Sequence, residues 1–169
     1  DGAMRDALSI FDQIVSFAGN NITYQETIKN LNVLDYDYYF KITDAFLNND
    51  YNSALLIFDN ILNKGFEGGY FINGLASHFR DLLVSKEPGT INLLEVGEKI
   101  KEEYIKYASL CSIPFIFNAL DIANDCDLKY KQSQNKRLLI ELAILKITKL
   151  SNPKYYEVSS TQIDNKIEN

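Results

Sequence analysis

The chain has 169 residues, 46% of them hydrophobic, with three prolines, eight glycines and a formal net charge of −6. That length suits one domain, or one domain and part of another, and the apolar share suffices for a core. The acid excess argues against direct contact with nucleic-acid phosphates, which needs clustered Lys and Arg. No apolar run reaches the ~18 residues of a membrane span and no basic-then-apolar leader opens the sequence, so a soluble, cytoplasmic chain with no membrane partner is expected.

The spacing predicts a first helix from near Ala3 to just before Gly19. Leu8, Phe11, Ile14, Val15 and Ala18 recur there at three and four residues, and Gly19-Asn20-Asn21 supplies the stop. Thr23 and Glu26 are placed for a capping box ahead of a short helix carrying Tyr24, Ile28 and Leu31. Asn32 to Asp35 reads as a break. From Tyr36 to Leu47 a further helix puts Tyr39, Ile42 and Phe46 on one stripe, and Asn48-Asn49-Asp50 interrupts it. Ala54, Leu55, Phe58, Ile61 and Leu62 line the next, which ends at Lys64-Gly65, a cation followed by a C-terminal glycine.

A helix between about Gly69 and Ser85 turns Phe71, Ile72, Leu75, Phe79, Leu82 and Leu83 inward, and Pro88-Gly89 closes it. Ile91 to Leu110 reads as one amphipathic stretch. Its outer face carries Glu95/Lys99 and Glu102/Lys106 at i,i+4, pairs worth a few tenths of a kcal/mol that mark a solvated surface. Ser112 is the expected N-cap of a helix bearing Pro114, Ile116, Phe117, Leu120 and Ala123, with a polar end at Asn124-Asp125. The last helix, roughly Gln134 to Leu150, is apolar around most of its circumference, so it is either central or part of a subunit contact. Leu138, Leu139, Leu142 and Leu145 are its candidate interface or core residues. Asn152-Pro153 stops it, and residues 151–169 lack a helical period and are expected to form a disordered linker.

Few residues suggest chemistry. His78, the single histidine, has no partners at metal-ligand spacing and is expected to be packed or capping. Cys111 and Cys126 read as small buried hydrophobes. Lys129, Lys131, Lys136 and Arg137 surround Tyr130, a pattern that could hold nucleic acid. With Asp125 and Asp127 beside it, surface charge or a subunit contact is favoured instead. Gly65 to Gly69 lacks the lysine of a phosphate loop and reads as a turn with room for close packing. No catalytic residue and no metal ligand is expected.

The N-terminal run Gly2-Ala3-Met4-Arg5-Asp6-Ala7-Leu8-Ser9, followed by Asp12-Gln13, resembles one family: the gamma/tau subunits of bacterial DNA polymerase III, AAA+ ATPases of the sliding-clamp loader. Ser77 to Leu83 and Lys129 to Lys146 are similar to core helices of the family's third domain. The resemblance implies an all-α fold. Residues 1–34 would end the lid domain, with Arg5 as the sensor-2 residue that reaches an ATP phosphate in the intact subunit. Residues 35–150 would be a collar domain of about five to six helices. ATP and Mg would belong to the parent and not to this fragment, which lacks the phosphate loop and is not expected to be an enzyme. The implied role is oligomerisation, with partners among the gamma/tau, delta and delta-prime subunits. The sliding clamp and primer-template DNA would be reached through other domains. A helical adaptor unrelated to ATP explains the paired helices equally well, but not the arginine motif.

Overall fold

A computed structural model of the chain describes residues 34–151. Arg5, the expected lid helices, the Thr23–Glu26 box and the stretch from Asn152 onward lie outside the described residues. Helix α1 (Tyr36–Leu47) has the bounds its periodicity predicts. Its end is closed by Asn49 N–H to Phe46 O at 3.1 Å and Asp50 N–H to Ala45 O at 2.8 Å. This Schellman closure needs a left-handed residue, and Asn49 supplies it at φ 54°. Asp50 then caps α2 (Tyr51–Asn63), its carboxylate accepting from Ser53 N–H at 3.0 Å and Ser53 Oγ at 2.6 Å. The three residues read as an interruption therefore finish one helix and start the next. The far end of α2 repeats the closure, with Gly65 N–H on Leu62 O and Phe66 N–H on Ile61 O. Gly65 takes φ 89°, where a side chain would be strained.

Helix α3 (Gly68–Val84) buries Phe71, Ile72, Leu75, Phe79 and Leu82 completely. The expected turn at Gly68-Gly69 is instead the first turn of this helix. Close packing is indeed its purpose, since a Cβ on Gly69 would lie 2.8 Å from the Tyr130 ring.

The stretch after α3 departs from expectation. Ile91–Leu93 is one turn of 3-10 helix, Leu94 to Gly97 is irregular, and α4 spans Glu98–Leu110. The apolar pattern runs through Gly97, but that glycine is the N-cap, and the chain turns a corner there. Glu95 thus lies outside the helix, and the ion pair on its outer face is Lys106 to Glu103 at 3.3 Å rather than to Glu102.

Ser112 caps α5 (Ile113–Tyr130) as expected, Oγ accepting from Phe115 N–H at 3.2 Å, with Pro114 in the first turn. This helix continues past Asn124-Asp125 because Ala123 and Cys126, one turn apart, stay buried while the polar pair faces out. Phe117 is 55% exposed, against expectation, and Phe115 fills the inward position. Helices α3 and α5 make the most extensive pairing in the bundle. Helix α6 (Lys136–Lys149) lies against α1, α2, α3 and α5. Six α-helices and no strand occur among the described residues.

Candidate functional site

Helix α6 carries the residues singled out as interface or core. Asn135 caps it, its side chain accepting from Leu138 N–H at 3.1 Å. Arg137 ties the first turn to α2: Nη2 donates to Asp59 at 2.8 Å and Nε to Glu141 at 2.7 Å. Ile140, Ala143, Ile144, Ile147 and Thr148 form the buried side. Leu138 and Leu142, stacked one turn apart, are 48% and 46% exposed, and Leu139 and Leu145 are half-buried. The four leucines are therefore not the core, which belongs to the isoleucine side. Because apolar residues surround this helix, spacing alone does not say which side its neighbours cover.

Three of the four basic residues in the cluster have side-chain partners. Lys129 pairs with Asp125 at 2.7 Å, Arg137 with Asp59 and Glu141, and Lys136 sits over the Tyr130 ring 5.2 Å from its centroid. The two ion-paired cations are less free for the phosphates of a nucleic acid, which agrees with a surface-charge role.

His78 is 1% exposed and joins three helices. Its Nε2 lies 3.0 Å from Thr43 Oγ1 and its Nδ1 3.1 Å from the Tyr104 hydroxyl. Thr43 spends its only hydroxyl proton on Tyr39 O at 2.8 Å, so it must accept from His78. The ring is thus a neutral imidazole with its proton on Nε2, and Nδ1 accepts from Tyr104. Burial pushes its pKa down to about 3. Cys111 and Cys126 are free and buried, and burial pushes both thiols up to about 11. Among the described residues, no three His, Cys, Asp or Glu side chains could share a metal ion. No single described helix is long and apolar enough to cross a membrane.

Thr43 and Tyr104 did not stand out in the sequence. The available signal was a polar residue at a core position of each of two helices, Thr43 beside Ile42 and His78 beside Phe79. The Arg137–Glu141 half of the clasp was legible as an i,i+4 pair, but Asp59, distant in sequence, was not.

Comparison with known proteins finds two relatives, both named as DNA polymerase III subunits. The chain is 27% identical over 153 residues to DNA polymerase III subunit tau of Bacillus subtilis, a match covering 90% of this chain and 27% of that protein. It is 28% identical over 107 residues to DNA polymerase III subunit gamma/tau of Mycoplasma genitalium, covering 63% of this chain and 18% of the relative. Both matches are to gamma/tau subunits of DNA polymerase III, the family that the sequence resembles. It spans about a quarter or less of the length of these gamma/tau relatives. The 153-residue match is longer than the described region, so it reaches into the flanking sequence. No protein-family model matches the chain.

Proposed function

We propose that residues 35–150 are the oligomerisation module, or collar, of a clamp-loader subunit acting in bacterial DNA replication. The observation that carries this reading is the two-sided apolar character of α6: Ile140, Ile144 and Ile147 are buried while Leu138 and Leu142 are half exposed. Stacked leucines on a helix otherwise embedded in the bundle offer a surface for another subunit. The partners in this reading are further gamma/tau subunits and the delta and delta-prime subunits. The sliding clamp and primer-template DNA are engaged by the parent's other domains. Residues 1–34 end the lid domain, where Arg5 acts as the sensor-2 arginine. Its planar fork of donors suits phosphate oxygens, and ATP with Mg is bound by the intact subunit. This piece itself has no catalytic role in the proposal.

The test is the double substitution Leu138→Asp/Leu142→Asp in the intact subunit, mixed with delta and delta-prime and followed by light scattering. Two carboxylates forced into an apolar contact are expected to weaken assembly by at least a hundredfold, while the collar still folds with a loss of no more than about 2 kcal/mol from the two half-buried leucines. Normal assembly by the folded variant would overturn the assignment.

A further inference from the structure

Helix α4 buries three residues, Tyr104, Tyr107 and Ala108, as α2 does, whereas α1 buries six and α3 seven. It packs chiefly along α3, and its contact with α1 is made by the two tyrosines. The Tyr104 and Tyr107 rings lie 5.0 and 4.8 Å from the Phe40 ring. Each tyrosine ends in a hydrogen bond across a helix boundary. Tyr104 O–H reaches His78 Nδ1 on α3 at 3.1 Å, and Tyr107 O–H reaches Asp44 Oδ2 on α1 at 2.7 Å.

Neither end of α4 runs on as helix. Gly97 caps the helix without a side-chain hydrogen bond, and Leu94 to Gly97 makes no helical turn. At the other end Cys111 and Ser112 are extended, at ψ 135° and 150°. The connections at both ends are tethered. Thr90 Oγ1 donates to Val84 O at 2.7 Å, Arg80 donates to Leu93 O at 3.3 Å, and Lys86 Nζ donates to Cys111 O.

We propose that α4 is a hinged flap that opens as a unit while the other five helices stay folded, with the Tyr104 and Tyr107 hydroxyls as its latches. A helix with a thin buried face between two bends and two anchors has what a subglobal opening requires. Opening separates Tyr104 from His78 and Tyr107 from Asp44, and uncovers the Phe40 ring and one face of His78. It breaks no contact of α6 that the assembly reading uses, so the two proposals stand or fall separately.

The experiment is native-state hydrogen exchange on this 169-residue chain at neutral pH with urea below the unfolding transition. Amides from Glu102 to Leu110 are expected to share one opening, populated at least tenfold more than the opening that releases α3 and α6. Tyr107→Phe keeps the ring and removes one latch. It is expected to speed exchange across α4 about tenfold while leaving α3 and α6 unchanged. Tyr104→Phe, which removes the donor to His78 Nδ1, is expected to act in the same direction. Exchange of α4 together with α3 at the global rate overturns the proposal, as does an equal acceleration of all six helices by Tyr107→Phe.

Discussion

Acid should find His78 before it finds any other buried group in the bundle. In the unfolded chain the imidazole titrates near 6.5; in the fold, burial holds it neutral down to about 3. A histidine whose folded pKa is depressed lets the unfolded state bind the proton first. Its contribution to stability is complete above 6.5 and is lost as pH falls toward 3. Between pH 7 and 4.5 the loss amounts to about 2.5 kcal/mol, from just under two decades of unfolded-state protonation at ~1.4 kcal/mol each. That is a large part of the ~5–15 kcal/mol that holds a domain together. The hydrogen bonds give the same direction, because a proton on Nδ1 would face the Tyr104 hydroxyl while Tyr104 is donating to it. The assay is urea unfolding followed by circular dichroism at half-unit steps from pH 7 to 4.5, for the wild type and His78→Gln. Carboxylates contribute to both curves, so the difference between them isolates the imidazole. The wild type is expected to lose about 2.5 kcal/mol more than the variant across this window. Parallel curves would refute the buried neutral imidazole, as would a ring nitrogen signal that titrates near 6.5 in the folded protein.

Two further outcomes follow from packing. A Cβ on Gly74 would overlap the Tyr39 hydroxyl and lie 2.6 Å from its Cζ. Because Tyr39 is buried, Gly74→Ala is expected to cost about 1–3 kcal/mol by overpacking, and an unchanged melting temperature would show that the ring gives way freely. Cys111 and Cys126, both buried with thiols raised to about 11, should react with a disulfide reagent at pH 8 far more slowly than in denaturant. Rapid labelling of the native chain at either position would contradict that burial.

The bundle was legible where apolar spacing met a clear stop. The helix Tyr36–Leu47 has the bounds its spacing predicts because Asn48-Asn49-Asp50 does not favour continuing it. Lys64-Gly65 and Ser112-Pro114 marked their ends for the same local reasons. Other boundaries lie where local signals are neutral and packing decides. A glycine within an amphipathic run costs only about 1 kcal/mol, so Gly97 looked tolerable inside a longer helix. In the fold, burying Leu94 requires the chain to turn before α4 begins. The same holds for Phe115 and Phe117, two residues apart on one helix: both are apolar, and only the position of α3 decides that Phe115 goes inward. The polar core of Thr43, His78 and Tyr104 is a contact between three helices, and no window along the chain contains it.

Helix α6 poses the sharpest version of this problem, and a pair of substitutions separates its two sides. Ile144 is fully buried and Leu142, two residues earlier, is 46% exposed. Aspartate at 144 would place a carboxylate among apolar side chains without a partner, a change expected to cost more than about 4 kcal/mol and to unfold a marginal domain. Aspartate at 142 stays in contact with water and forfeits roughly half a leucine's burial, about 1 kcal/mol. Thermal melts of the two variants measure the contrast directly. If Leu142→Asp unfolds the chain as Ile144→Asp does, the leucine side is core after all and cannot serve as a subunit surface. If it melts like the wild type, its half-buried leucines cover little of the fold's own interior, and apolar surface of that kind on an embedded helix has its use outside the chain.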